Sequence, residues 1–251
     1  MLYYIKRSDM METIKITKNI KMIAHRGLSG ILQENTIPAF KLAGEKSYFG
    51  IETDVHVTKD NKYIICHDDS ILRVCGIDLV IEETDYDVLR KQPVFNKDGS
   101  INYDMYLPSL EEYITICKES NKVSVLELKN KMKEENIIEI VQIVKELNHF
   151  DNTIFISFSN ENIINLKKYF ADIKCQFLID INTQEKRVFA LEFAIKYGVD
   201  LDVFFGSVDR EFISLCHKNN VKLNVWTVDD LMVANNLVEM GVDYITSNIL
   251  E

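Results

Sequence analysis

The chain has 251 residues, 47% of them hydrophobic, a length that suits one large domain and is short for two. Its 39 acidic and 29 basic residues give a net charge of −10 at pH 7, and no lysine or arginine block stands out. This balance argues against a surface for nucleic acid or an anionic membrane. Five cysteines without a Cys-x-x-Cys pair argue against a disulfide framework or a zinc knuckle, so we interpret them as reduced, mostly buried thiols.

Charged residues occur at short intervals in the N-terminal segment, so it contains no uncharged stretch that could form the core of a signal peptide. No later run is apolar enough to cross a bilayer. We therefore expect a cytoplasmic protein without stable membrane insertion. The sequence predicts no oligomeric state.

Short β-rich runs alternate with helical patterns along most of the chain. Eight strands are predicted, at 22–24, 50–57, 123–128, 153–158, 175–179, 201–205, 221–226 and 242–246. Helical segments are predicted at 38–46, 109–119, 134–147, 160–170, 184–197, 209–219 and 229–240. Repeated strand-helix units with nearly continuous apolar strands indicate a parallel sheet covered by helices, and eight units favour a (β/α)8 barrel over an open doubly wound sheet. We expect a single domain over 1–251, with 1–19 as an N-terminal extension that covers one side or is loose. Too few residues follow the last strand to form a full helix.

One stretch interrupts this alternation. Between 69 and 107 the periodicity fades, and a turn signal stands at 96–99, so we interpret the stretch as an insertion after the second strand, on the catalytic face of a barrel. Its aromatic residues Phe95, Tyr103 and Tyr106 either contact ligand or pack within the loop. Before it, the runs 50–57 and 62–66 flank a polar turn and predict a hairpin that sets Asp54 opposite Cys66 and folds His67 back beside the second strand.

Acidic side chains recur on strands that are otherwise apolar. Glu52 and Asp54 lie two residues apart and share a strand face, and Glu127 lies near the end of the next predicted barrel strand. Three carboxylates offer only hard oxygen ligands, which suit one divalent cation, Mg²⁺ or Ca²⁺. The alternative is a structural network in which these acids pair with Arg26 and Lys129.

Histidines lie next to both acidic clusters. His25 and His67 can act as general acid and general base because histidine changes charge near neutral pH. Arg26 and Lys129 match the negative charge of a phosphodiester, and Arg26 can donate two hydrogen bonds to phosphate oxygens. Together these residues predict a phosphate-ester site.

Other side chains have both a structural and a functional interpretation. Asn35 either caps the helix near Pro38, as Thr36 also can, or reaches substrate. Trp226 and Phe158 end predicted strands and are either core residues or pocket walls. His56 shares the strand face of the acids but lies nearer the turn, and His149 and His217 at helix ends are expected on the surface.

The chain resembles the glycerophosphodiester phosphodiesterase family of TIM-barrel hydrolases. The resemblance covers about 21–245 and rests on the order of these segments: His25-Arg26-Gly27, Glu34-Asn35-Thr36, Ala39-Phe40, Glu52-Thr53-Asp54-Val55, Thr58-Lys59-Asp60, His67-Asp68, Leu72-Arg73, 107–112, Glu127-Leu128-Lys129, 225–228 and 241–243. The chain departs from it at the end, where the family often has Thr-Asp-x-Pro and this chain has Thr246-Ser247-Asn248-Ile249.

The resemblance implies roles for the candidate residues. His25 and His67 become the acid/base pair, Arg26 and Lys129 contact phosphate, and a divalent metal is held by three carboxylates, those of Glu52, Asp54 and Glu127. The implied substrates are small glycerophosphodiesters, hydrolysed to glycerol 3-phosphate and an alcohol as a step of glycerol and lipid metabolism. Two alternatives stay open: a lysophospholipase D or phospholipase D-like headgroup hydrolase, which needs an exposed apolar platform at the rim, and a catalytically silent barrel that binds glycerophosphodiesters.

Overall fold

The computed structural model describes residues 20–251, and the predicted extension at 1–19 lies outside them. Its strands, in chain order, are β1 (Lys21–Ala24), β2 (Gly50–Val57), β3 (Tyr63–Ile65), β4 (Pro93–Phe95), β5 (Ile101–Tyr106), β6 (Val123–Leu128), β7 (Thr153–Ser157), β8 (Lys174–Ile179), β9 (Asp200–Phe204), β10 (Leu223–Trp226) and β11 (Tyr244–Ser247). Every predicted strand is present, with shifts of at most two residues at either end.

Eight of these strands close into a parallel barrel. The order β1-β2-β6-β7-β8-β9-β10-β11 returns to β1, which pairs with β2 on one side and β11 on the other. Closure removes the unpaired edges that an open sheet would leave. The predicted (β/α)8 barrel is confirmed.

Helices cover the outside of the barrel: α1 (Ile37–Gly44), α4 (Leu110–Glu119), α5 (Glu134–Glu146), α6 (Asn160–Tyr169), α7 (Gln184–Tyr197), α8 (Arg210–Lys218) and α9 (Leu231–Met240). Local sequence explains where they start and stop. Ser109 and Glu112 form a reciprocal capping box at the start of α4, and Gly198 in the left-handed conformation ends α7. In the described part of the chain, no helix is both long and apolar enough to cross a membrane.

The core has two layers. Inside the barrel lies a cluster of Ile23, Val125, Ile154, Ile156, Leu178 and Tyr244. A larger layer lies between strands and helices, where the Phe40 and Tyr113 rings meet edge to face at 5.1 Å. Strands buried on both sides explain why their sequences are apolar almost throughout.

The insertion at 69–107 forms a small module on the rim. It contains the helices α2 (Leu72–Cys75) and α3 (Tyr86–Leu89), a β4-β5 hairpin and its own apolar cluster. Phe95 packs over Gly76, whereas Tyr103 and Tyr106 are exposed. None of these three aromatics lines the cavity at the C-terminal end of the barrel that is described below.

The hairpin before the insertion has the predicted register. β3 pairs antiparallel with β2, and the Cys66 amide donates to the Asp54 carbonyl at 3.1 Å. The chain therefore turns back at the C-terminal end of the barrel, where it delivers His67. Four cysteines are buried and Cys75 is half-buried. The prediction for His149 was wrong: the residue is only 3% exposed, because the turn after α5 folds it inward beside the Lys122 backbone. His217 is exposed, as expected.

Candidate active site

Three carboxylates meet at the C-terminal end of the barrel. Glu52 and Asp54 project inward from β2, and Glu127 on β6 lies directly opposite Asp54 in the parallel register. One oxygen from each residue lies within 4.8 Å of the others. All three side chains are buried, as expected for residues on inner strand faces.

Two basic side chains lie against these acids. Lys129 Nζ is 3.0 Å from Glu127 Oε1 and 3.6 Å from Asp54 Oδ1, and Arg26 Nε is 3.5 Å from Asp54 Oδ2. The ion pairs of the structural alternative are therefore present. These ion pairs do not neutralise the acids fully, because the Arg26 guanidinium also pairs with Glu34, with Nη1 3.0 Å from Oε1. In addition, Asp54 Oδ1 accepts no hydrogen bond.

The electrostatics of the cluster leave room for further positive charge. Burial and the neighbouring Asp54 raise the pKa of Glu52 well above its usual range, and the same causes raise the pKa of Glu127 to about 8. For Asp54, burial acts to raise the pKa, but Arg26 and Lys129 outweigh it and the pKa is lowered. An all-oxygen donor set with an uncompensated buried carboxylate fits a hard divalent cation.

These shifts predict how stability depends on pH without metal. Between the usual 4.5 and about 8, the folded protein holds a proton on Glu127 that the unfolded chain releases. The folded state is therefore favoured as the pH falls. We expect the melting temperature in chelator to rise as the pH is lowered from 8 to 6.5, and in the Glu127→Gln variant we expect this rise to be smaller. A melting temperature independent of pH in both proteins would contradict the assignment.

The turn after β1 brings Arg26 to the cluster. Arg26 and Gly27 both adopt positive φ, 53° and 74°, and the Arg26 amide donates to Glu52 Oε2 at 2.9 Å. A Cβ on Gly27 would lie 2.8 Å from the Ala39 carbonyl carbon of α1. Glycine is therefore required both by the backbone conformation and by the close approach of α1.

Gly27→Ala is expected to destabilise the protein by about 2 kcal/mol or more, because a left-handed alanine costs about 1–2 kcal/mol before the clash with Ala39 is counted. Gly99→Ala is the matched control, since Gly99 has φ 84° but no atom within 4 Å of the place that an added Cβ would take. Urea unfolding of both variants measures the difference. Equal losses would show that the α1 contact contributes nothing.

His25 is oriented by the last loop of the chain. Its Nδ1 lies 2.8 Å from Asn248 Oδ1, while Asn248 Nδ2 donates to Asp229 Oδ2 at 2.6 Å. A carboxylate can only accept, so Asp229 fixes which end of the Asn248 amide faces the histidine. The Asn248 oxygen in turn requires the proton of neutral His25 on Nδ1, which leaves a lone pair on Nε2.

The environment of His25 also favours the neutral ring. Burial, and after it the charge of Arg26, lowers its pKa to about 4. Nε2 lies 4.0 Å from Glu52 Oε2, at the edge of the carboxylate cluster. His25 thus presents a proton acceptor to the cavity.

Asn248→Leu is expected to lower kcat on the order of 10–100-fold, with a smaller change in KM. Removal of a side chain that orients a functional residue usually has an effect of this size. The reason is loss of the tautomer and ring orientation of His25. The exposed Asn219→Leu serves as a control, and melting temperatures establish that both variants fold. Unchanged kcat in Asn248→Leu would show that the contact does not orient the ring.

His67 has a different support. Its Nδ1 lies 2.6 Å from Asp68 Oδ1, Arg73 Nε donates to Asp68 Oδ2 at 2.6 Å, and Arg73 also contacts Glu34. Glu34 bridges Arg73 to Arg26. The hydrogen bond from Arg73 helps to keep the pKa of Asp68 lowered. The hydrogen-bond partner of the His67 ring is therefore a carboxylate, whereas that of the His25 ring is a neutral amide.

A cavity of about 200 Å³ joins these groups. His25, Arg26, His67, Glu52 and Glu127 form one side, and the other side is lined by Ile156, Phe158, Leu178, Asp202, Trp226, Thr227 and Thr246. Phe158 and Trp226 meet edge to face at 5.8 Å. The aromatic side chains thus form a wall opposite the charged groups.

Two of the side chains considered in the sequence, Asn35 and His56, do not line the cavity. Asn35 lies behind the carboxylates: its Nδ2 donates to Asp54 Oδ2 at 2.8 Å and its Oδ1 accepts from Thr53, so its contacts are with the cluster and it does not line the cavity. Thr36 provides the helix cap instead. His56 is buried, with Nε2 against the His67 carbonyl at 3.4 Å.

Sequence reasoning missed three residues of the site. Asp202 was passed over within an apolar strand, although an acid at such a position is itself a signal. Asn248 and Asp229 follow strand ends but belong to no short motif, and only the folded chain brings them to His25.

Comparison with known proteins agrees with this geometry. The model of the "Glycerophosphoryl diester phosphodiesterase family" matches residues 25–250, so the chain belongs to this family. The resemblance seen in the sequence is confirmed.

Particular relatives cover nearly the whole chain. A protein named glycerophosphodiester phosphodiesterase from Caldanaerobacter subterraneus subsp. tengcongensis is 29% identical over 90% of this chain and 93% of its own length. Among solved structures, a phosphodiesterase of Oleispira antarctica in complex with the product sn-glycerol-3-phosphate has a TM-score of 0.80 at 23% identity, over 91% of this chain and 93% of its own. A protein from Silicibacter pomeroyi described as a putative glycerophosphoryl diester phosphodiesterase has a TM-score of 0.83 at 18% identity, over 95% of this chain and 91% of its own.

Proposed function

We propose that this protein hydrolyses glycerophosphodiesters to sn-glycerol 3-phosphate and an alcohol. The observation that carries the proposal is that Arg26 and two separately supported histidines line one cavity together with Glu52 and Glu127, two members of a buried carboxylate triad. The relatives named as glycerophosphodiester phosphodiesterases, and the product in the Oleispira antarctica structure, support it. The three proposed metal ligands and both histidines are all in place, which argues against a silent binding barrel.

Glu52, Asp54 and Glu127 are the proposed ligands of one divalent cation, Mg²⁺ or Ca²⁺. Such an ion, when bound, neutralises charge on the phosphate as it is attacked. Arg26 adds a guanidinium on the cavity wall, and Lys129 contributes positive charge from behind the carboxylates. Asn35 is proposed to position Asp54.

The two histidines divide the proton transfers. His25, neutral and with its Nε2 lone pair in the cavity, accepts the proton of the nucleophile, which is water or the glycerol 2-hydroxyl. His67, supported by Asp68, donates a proton to the departing alcohol oxygen. Each proton transfer reduces the charge that builds up on an attacking or leaving oxygen.

The aromatic wall gives the alcohol half of the substrate a place to bind. Phe158 is 52% exposed at the rim and contacts Trp226, which also meets Phe204 at 5.9 Å. This rim platform also favours a second candidate function, release of headgroups from lysophospholipids. A human lysophospholipase D is 36% identical over 66 residues, 26% of this chain.

A cytoplasmic site of action in glycerol and lipid metabolism is part of the proposal. The net charge of −10 argues against nucleic acid as a partner. Binding a small anionic ester then depends on local positive charge, and Arg26 supplies it in the cavity.

The direct test is release of glycerol 3-phosphate from glycerophosphocholine and glycerophosphoethanolamine, and of choline and lysophosphatidic acid from a lysophosphatidylcholine. Each is assayed with chelator and after restoring Mg²⁺ or Ca²⁺, and His25→Ala is the control. Metal-dependent release from the water-soluble diesters is expected. Activity on the lysolipid alone would favour the second function, and no release from any of them by folded protein would contradict both. Phosphorus NMR during turnover shows whether a cyclic phosphate forms, which identifies the nucleophile.

A further inference from the structure

Asp202 is a buried carboxylate that the mechanism above does not use. It lies on the inner face of β9, is 2% exposed, and lines the cavity. Asn224 on β10 hydrogen-bonds to the carboxyl group, but Oδ1 is buried without any partner. Asp202 therefore has an unpartnered carboxyl oxygen buried beside the cavity that the residue lines.

No basic side chain compensates Asp202 within residues 20–251, since its neighbours are Asn224 and the like-charged Glu127. Burial and then Glu127 raise its pKa well above the usual range. A polar group buried without a full set of partners destabilises a fold. Such a residue is a candidate for ligand contact when it faces a cleft.

The position of Asp202 limits what it can bind. It is not among the carboxylates whose oxygens lie within 4.8 Å of one another, so it does not belong to the proposed metal set. Arg26 on the other side of the cavity attracts a phosphate, and Asp202 offers no positive charge that would do so. Asp202 therefore faces the part of a diester that lies away from phosphorus.

The surroundings of Asp202 match a polyol better than an ammonium group. Ile156 and Leu178 offer apolar contacts for carbon atoms, and Thr246 adds a hydroxyl to the same wall. Aromatic faces that attract a quaternary ammonium lie at the exposed rim, with Phe158, instead of at the depth of Asp202. The deep part of the cavity thus combines an apolar wall with one unused acceptor.

We propose that Asp202 binds the hydroxyl groups of the glycerol half of the substrate and so selects glycerophosphodiesters over other diesters. The inference rests on the proposed function and adds its specificity residue. The phosphate lies at Arg26, the glycerol carbons lie on the Ile156 side, and the alcohol half extends toward the aromatic rim.

The test compares ligands with and without glycerol, using the full chain with saturating Mg²⁺ or Ca²⁺. In Asp202→Ala, kcat/KM for glycerophosphocholine and glycerophosphoethanolamine is expected to fall about 10- to 100-fold, the range for leaving a buried polar group without its hydrogen-bond partner. Hydrolysis of bis(p-nitrophenyl) phosphate, which lacks glycerol, is expected to be unchanged. Asp202→Asn keeps the shape of the side chain and one acceptor oxygen. We therefore expect a smaller fall in kcat/KM for the two glycerol diesters, again without a fall for the aryl diester.

A binding measurement separates this inference from the activity. By calorimetry, the wild-type protein is expected to bind glycerol 3-phosphate more tightly than methyl phosphate, and Asp202→Ala is expected to lose that preference. Asp200→Asn is the matched control, because Asp200 lies two residues earlier on β9 and lines a cavity at the opposite end of the barrel. It is expected to retain the preference.

Several results would overturn the assignment. A fall confined to glycerophosphoethanolamine would mean that Asp202 binds an amine, and an equal fall for the aryl diester would mean that it acts on phosphate or metal. Equal wild-type affinity for glycerol 3-phosphate and methyl phosphate would also overturn it. Failure of the proposed function is a distinct result, seen as no release of glycerol 3-phosphate by a protein that still shows the binding preference.

Discussion

Glu52→Gln is expected to lose more than a hundredfold in metal-dependent turnover and, at the same time, to melt at a higher temperature than the wild type in chelator. Both effects have one cause. Burial and the neighbouring Asp54 raise the pKa of Glu52, so without metal the folded protein must either protonate this carboxylate or keep a buried charge beside Asp54, and a neutral amide avoids both. Glutamine can still accept the hydrogen bond from the Arg26 amide.

Differential scanning fluorimetry with and without Mg²⁺ or Ca²⁺ measures the stability half of this prediction. A ligand at about 100 times its Kd stabilises a protein by about 2.7 kcal/mol, and we expect this gain in the wild type and little of it in Glu52→Gln. Glu185→Gln, on the exposed first turn of α7, controls for loss of a carboxylate elsewhere. The triad is not a metal site if Glu52→Gln keeps both its turnover and its stabilisation by metal.

His25→Ala and His67→Ala are each expected to lower kcat by about 10²–10⁴-fold on alkyl diesters, the usual contribution of a general acid or base. Their different supports predict different behaviour with an aryl leaving group. An acidic phenol departs without protonation, so His67→Ala is expected to recover most of its loss on a p-nitrophenyl diester. His25→Ala is expected to stay impaired, because the nucleophile still needs its base.

Steady-state kinetics on an alkyl and a p-nitrophenyl ester of glycerol 3-phosphate make this comparison. His217→Ala, an exposed histidine paired with Asp243, is the control for histidine removal. Recovery in His25→Ala rather than His67→Ala would reverse the two roles. Near wild-type turnover of both variants on the alkyl ester would remove the histidines from the chemistry altogether.

Much of this protein follows from local patterns in its sequence. Strands β2 and β6 are predicted at their observed bounds because eight and six consecutive residues are suited to burial on both sides. The register of β2 with β3 follows from turn length alone, which places Cys66 opposite Asp54. Alternation along a strand then puts Glu52 and Asp54 on one face.

The errors and omissions have a common origin. His149 was expected on the surface from its place at a helix end, yet a turn and the neighbouring Lys122 backbone cover it. Asn35 was expected to cap a helix or reach substrate, yet its side-chain amide hydrogen-bonds to Asp54 and Thr53. In each case the partner comes from another element, and no short sequence window contains it.

The sequence by itself determined the (β/α)8 architecture, the family and the set of acids, histidines and basic residues at the strand ends, because burial periodicity and short motifs are local properties. Only the tertiary structure decided which atom each of these residues meets. Asn248 reaches His25 across 223 positions, and Asp202 faces Glu127 across the barrel, because barrel closure brings the ends of distant strands together. Proton location and substrate selection depend on those contacts, and the contacts exist only once the barrel has closed.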